Sequence, residues 1–110
     1  MSIKEILKKF NIDDVLVSER IENKLSDRGL AVEEVKQKLF DINNLEVEAK
    51  KNDSYFLAYR LSGRYRIVIV IYVNDKIRIA TAFKTSKKID KLLKSAKSVI
   101  SYIKRTPPSA

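Results

Sequence analysis

The chain has 110 residues, with 23 Lys and Arg against 14 Asp and Glu, a net charge of +9 and an isoelectric point near 9.8. That length suits one domain with a modest core, and the charge favours a polyanionic partner: nucleic acid, an acidic protein or an anionic surface. Cys and His are both absent, which excludes disulfides, thiolate metal sites, thiol catalysis and the usual imidazole base and fits a cytoplasmic setting.

In chain order, "SIKEILKKF" sets Ile3, Ile6, Leu7 and Phe10 at helical spacing, a short N-terminal helical extension within residues 1–14. After a break at Asn11 to Asp14, "VLVSERIENKLSDRG" predicts a helix with Ser18 as N-cap, Ile21 and Leu25 on one face and Gly29 just past its end. "AVEEVKQKLF" predicts another, burying Val32, Val35, Leu39 and Phe40, with Glu33 and Glu34 in the first turn.

From about residue 45 the periodicity becomes that of strands. "LEVEAK" alternates, "SYFLAYRLS" is rich in aromatics, "YRIVIVIYV" is a continuous β-branched run, and "KIRIATAF" alternates again. Ser62-Gly63 and Asn74-Asp75 are short turn signals, so the strands are expected as an antiparallel meander. Beyond it, in a C-terminal unit over 84–104, Ile89, Leu92, Leu93, Ala96, Val99, Ile100 and Ile103 form one stripe, which predicts a long amphipathic helix over Ser86–Ile103. Pro107 and Pro108 end it, leaving a tail over 105–110. The expected fold class is α+β: N-terminal helices, a meander of about four strands, and a long C-terminal helix.

Charge divides along the chain. Residues 1–53 carry 10 Lys and Arg against 12 Asp and Glu, whereas residues 54–110 carry 13 against 2. The second half is therefore +11, and the surface is expected to be bipolar. With two-residue loops in both hairpins, one sheet face would carry Tyr55, Leu57, Tyr59, Arg64, Arg66, Val68, Val70, Tyr72, Ile77, Ile79, Thr81 and Phe83. The other would carry Phe56, Ala58, Arg60, Ile67, Ile69, Ile71, Arg78, Ala80 and Ala82, and the small residues there would admit the N-terminal helices. On the first face Tyr59, Arg66 and Thr81 would gather near Lys84. Arginine grips phosphate, and tyrosine stacks on a base or moves a proton. The plainer reading makes the tyrosines half-buried sheet residues and the arginines solubilising charge. Lys84, Lys87, Lys88, Lys91, Lys94 and Lys97 have one acid, Asp90, to offset them. They read either as the wet side of a helix or as a phosphate-contacting row.

"RIENKLSDRGLAVEEV" and "YFLAYRLSGRYRIVIVIYVNDKIRIATAF" together resemble the RelE/ParE-like toxin superfamily. The closest pattern is a branch that reads His-Ala-x-x-Arg-x-x-Glu-Arg-Gly-Ile, then a helix, then a meander ending near Thr-Ala-Tyr or Thr-Ala-Phe. The resemblance covers roughly residues 15–93. Asp27-Arg28-Gly29-Leu30 matches the Glu-Arg-Gly-Ile step, Lys24 takes the first Arg, Thr81-Ala82-Phe83 matches the last strand, and Arg20 stands where that branch has His.

The resemblance implies a toxin-like, RNA-binding protein. Its ribonuclease members imply metal-independent cleavage by the substrate's own 2′-hydroxyl. That chemistry needs a base, a positive group and an acid, and strand pairing nominates Tyr59, Arg66 and Lys84 for those roles. Arg20, Lys24, Arg28, Arg64, Thr81, Lys87, Lys88, Lys91 and Lys94 are the expected nucleic-acid contacts. Two alternatives stay open: a non-catalytic basic module that binds nucleic acid or an acidic protein, and a ParE-like inhibitor of a protein target. Expected partners are RNA or other nucleic acid, an acidic antitoxin-like chain, or a second copy in a homodimer. No membrane segment, cofactor or metal is expected. The pairs Asp13-Asp14 and Glu33-Glu34 read as surface or capping charge.

Overall fold

In the computed structural model, which describes residues 2–86 and 101–104, α1 (Ile3–Leu7) leads through a 3-10 turn (Ile12–Asp14) to a two-residue strand, β1 (Val15–Leu16). Two helices follow, α2 (Glu19–Asp27) and α3 (Val32–Leu39), then a second 3-10 turn (Ile42–Asn44). The meander is β2 (Leu45–Lys51), β3 (Ser54–Ser62), β4 (Tyr65–Val73) and β5 (Ile77–Thr85), and β6 (Ser101–Lys104) comes last. The chain is thus α+β, with sheet order β1-β5-β4-β3-β2-β6.

Local chemistry sets the helix ends. Ser2 Oγ accepts from Glu5 N–H at 3.4 Å and Ser18 Oγ from Ile21 N–H at 3.2 Å, so each serine satisfies one orphan donor of a first turn. At the end of α2, Gly29 has φ +72°. Its N–H reaches the Ser26 carbonyl at 2.9 Å, and Leu30 N–H reaches the Leu25 carbonyl at 2.8 Å. This pair of bonds is a Schellman closure, which requires the left-handed conformation that glycine adopts without a Cβ penalty. Leu25 and Leu30 are both buried beneath it.

The helices cover one sheet face. Ile3, Leu7, Leu25, Leu30, Val35 and Leu39 pack there against Tyr55, Leu57, Tyr59, Ile67, Ile69, Ile71, Ile77 and Ile79. Ile3 N–H also donates to the buried Glu48 carboxylate at 3.0 Å, which fastens the start of α1 to β2.

This face assignment corrects the expected one, and three bulges are the reason. Ser62 pairs with Tyr65 around Gly63-Arg64, but the register then slips at Leu61, so Tyr59 faces Ile67 rather than Arg66. The β4–β5 loop holds three residues, with Val73 opposite Ile77, and the register slips again at Ala80. A third slip lies at Glu46. One extra residue exchanges the faces of everything beyond it. Tyr59 and Leu57 therefore share a face with Ile67, Ile69 and Ile71 rather than with Arg66, Val68 and Val70.

The expected C-terminal helix is corrected in part. Residues 101–104 are a strand paired antiparallel with β2, Val47 opposite Lys104 and Lys50 opposite Ser101. The edge of β2 away from β3 accepts this strand through its unpaired backbone groups. The rest of that helix, over 87–100, lies outside the described residues, as does the tail over 105–110. With β1 and β6 added, the sheet has six strands rather than about four.

Candidate nucleic-acid interface

The three residues nominated for catalysis do not converge. Tyr59 has no exposed surface, and its hydroxyl donates to the Leu39 carbonyl at 2.6 Å. Leu39 ends α3, so this carbonyl is one the helix leaves without an internal partner. Burial, and then the negative charges of Asp41 and Glu48, push the phenol up from its ordinary pKa, so the neutral form is held. A closed, neutral phenol bound to backbone moves no proton for a macromolecular substrate. This corrects the placing of Tyr59 on an open face.

Arg66 lies on the opposite face, paired across the sheet with Arg60 and Thr85. Its Nε donates to Glu46 Oε1 at 2.8 Å, and the Glu46 side chain is only 6% exposed. The guanidinium compensates a buried carboxylate and is not a free positive group. Lys84 is exposed near the end of β5, in the register row of Ile67 and Tyr59. Tyr59 and Lys84 thus share one face, and Arg66 is on the other.

The structure does join two stretches that are 53 residues apart in sequence. Arg28 Nη1 donates to Thr81 Oγ1 at 2.8 Å and to the Ala82 carbonyl at 2.9 Å. Asp27-Arg28-Gly29-Leu30 and Thr81-Ala82-Phe83, the steps on which the family resemblance rests, meet in this contact. The Gly29 closure positions Arg28 at the C-cap of α2, where a cation also complements the helix dipole. Two of its five N–H donors are used, and among the described residues the Nε and Nη2 groups make no hydrogen bond.

Arg20, Lys24 and Arg28 stand at i, i+4 and i+8, so they form a row along one flank of α2. All three are exposed, each about 6 Å from the next along the helix axis. Asp27 adds one negative charge to this flank. Glu22 is turned to the other side, where it lines an open cleft with Ser26, Glu33 and Lys36. Arg28, at the end of this row, bonds to β5, which pairs with β1 only at Ile77 and Arg78. Among the described residues, the outer edge of β5 beyond Arg78 has no strand partner. Lys84 continues the positive charge along that edge. Arg64 sits in the β3–β4 turn, its guanidinium 5.5 Å from the Tyr65 ring centre, at the end of the sheet where Arg66 faces Thr85. Lys87, Lys88, Lys91 and Lys94 lie outside the described residues.

The α2 row has a clear sequence signal, the i, i+4, i+8 spacing of Arg20, Lys24 and Arg28. The clasp on Thr81 has none, because no local pattern reports a contact across 53 residues. Among the described residues no group of three acidic side chains stands close enough to hold a metal ion, and no helix is long and apolar enough to cross a membrane. Comparisons of the chain with protein-family models, curated proteins and solved structures match none of them.

Proposed function

We propose that the protein binds nucleic acid, single-stranded RNA in the first instance, along the ridge formed by α2 and the free edge of β5. The observation that carries this reading is the Arg20–Lys24–Arg28 row, exposed along its length and held against β5 by the Arg28 clasp. Cations at fixed spacing on a rigid element meet successive phosphates and release their counterions. Thr81 and the unused Arg28 donors add short-range hydrogen bonds to phosphate or sugar. Lys84 and Arg64 extend the positive surface toward the β3–β4 turn.

The binding module is favoured over the ribonuclease. The buried Tyr59 and the ion-paired Arg66 are each engaged in the fold and do not supply the base and the positive group nominated for cleavage. A toxin-like role stays within this reading only as binding that blocks a target.

The test is a fluorescently labelled single-stranded RNA incubated with the purified full chain in EDTA. The expected result is a saturable rise in anisotropy, weakened at least several-fold by Arg20→Ala with Lys24→Ala, and intact RNA on a denaturing gel. Cleavage in EDTA that Tyr59→Phe leaves unchanged but Lys84→Ala abolishes would replace the module with an enzyme. Absence of binding at low salt would remove the reading altogether.

A further inference from the structure

Tyr65 opens β4 just after the β3–β4 turn and is 45% exposed, and among the described residues it packs in neither apolar cluster. An exposed tyrosine alone means little; its surroundings give it a role.

The backbone fixes those surroundings. Gly63-Arg64 closes the hairpin between Ser62 and Tyr65. Gly63 takes φ +55° there, a left-handed conformation that costs glycine no Cβ clash. The turn sets the Arg64 guanidinium 5.5 Å from the Tyr65 ring centre. Ile67 faces Lys84, so Tyr65, two residues before Ile67 on β4, shares its sheet face with Lys84. The two stand diagonally across neighbouring strands, about 7–8 Å apart and within reach of long side chains. Arg64, Tyr65 and Lys84 are all exposed.

These groups continue the row on α2. β1 ends beside Arg78, α2 begins three residues later, and Arg28 at its C-cap bonds to Thr81 and Ala82. The helix therefore runs along β5 toward Lys84. From Ala82 to Lys84 is two residues of strand, about 7 Å, close to the step of about 6 Å between the α2 cations. A polyanion whose phosphates follow Arg20, Lys24, Arg28 and Lys84 brings its next nucleotide to the Tyr65 ring. Stacking there is favourable whatever the base, because every base has a π-face. Arg64 and Lys84 lie beside the ring, where they meet the phosphates that flank a stacked base.

We infer that Tyr65, with Arg64 and Lys84, is a base-stacking subsite at the end of the α2–β5 ridge. It rests on the nucleic-acid reading of that ridge and names the kind of strand the ridge takes: one with an unstacked base. In a duplex both faces of a base are already stacked on its neighbours. Tyr72, also exposed, has a different setting. It stands at the opposite end of β4 on the other sheet face, where it lines an open cleft with Asp53.

The test compares two labelled probes by anisotropy on the full chain: a single-stranded RNA and an abasic phosphodiester strand of the same length. Wild type should bind the RNA about five-fold or more tightly than the abasic strand. Tyr65→Ala should lose that preference by weakening RNA binding alone, with the slope of affinity against salt unchanged. Tyr65→Phe should keep the preference, and so should Tyr72→Ala. Equal wild-type affinity for the two strands overturns the inference without recourse to any variant, and leaves the ridge as a phosphate-binding surface. A Tyr65→Ala protein that retains the preference overturns it too, as does a loss on Tyr72→Ala as large as that on Tyr65→Ala. Failure of wild type to bind either strand at low salt removes the nucleic-acid reading itself, and the subsite with it.

Discussion

At the scale of single residues, two side chains that looked chemical are structural. Tyr59 closes the C-terminus of α3 through the Leu39 carbonyl. Tyr59→Phe removes that bond and leaves a buried carbonyl unsatisfied, so urea unfolding is expected to show a loss of about 1–2 kcal/mol, with RNA affinity unchanged. Arg66 offsets the buried Glu46 carboxylate. Arg66→Ala strands that charge and should destabilise the fold by about 3 kcal/mol. Arg66→Ala combined with Glu46→Leu should recover most of the loss, because removing both partners together removes the desolvation penalty with them. If the double variant is as unstable as the single one, the Glu46 pair is not what holds Arg66.

At the scale of elements, the helices were legible and the sheet register was not. Ser18, Gly29 and the spacing of Leu25, Val35 and Leu39 state their roles locally, through caps and a helical period. The strands were legible as strands, but which face each residue takes depends on bulges at Glu46, Leu61 and Ala80. The bulged residues lie in β2, β3 and β5, where apolar side chains occur on both faces, so the change of phase does not stand out in the sequence. The short strand Val15–Leu16 and the strand at 101–104 were hidden because each is fixed by a partner edge rather than by its own pattern. Of the candidate site, the row on α2 could be read directly, whereas the Arg28 clasp and the burial of Tyr59 needed the tertiary structure.

The end of α3 gives a pH dependence. The Asp41 carboxylate accepts from Lys38 Nζ at 2.8 Å and from the Asn44 amide at 2.8 Å. The Lys38 bond comes first among the causes that hold its pKa below the usual carboxylate value. A depressed native pKa contributes stability that is complete above the unfolded Asp pKa of about 3.9 and disappears as pH falls through the native one. The wild type should therefore be more stable than Asp41→Asn at neutral pH, and the two unfolding curves should converge under acid. A gap that persists at low pH would show that Asp41 acts through packing and not through its charge.

At the scale of the whole molecule, charge and topology divide the work. The helix layer buries one sheet face, and basic residues collect where α2 flanks the one long strand edge that the described residues leave open. Lys84 and Arg28 also guard that edge against strand-to-strand association, a usual employment of edge cations. The same charges that keep the edge apart from other strands leave it attractive to phosphate. A polyanion that runs along α2 satisfies both roles without entering a pocket.

The most direct test of the α2–β5 ridge is the salt dependence of RNA binding. The slope of log K against log salt counts the phosphates neutralised, at about 0.7 per phosphate on a single strand. Titrating one single-stranded RNA against wild type and against Arg20→Ala with Lys24→Ala, from about 50 to about 300 mM salt, should show a steep wild-type slope and a shallower one for the variant. The reduction should be about 1.4, for the two phosphates that Arg20 and Lys24 no longer neutralise. Equal slopes and equal affinities for the two proteins would contradict the account and place the nucleic acid elsewhere, or nowhere, on this molecule.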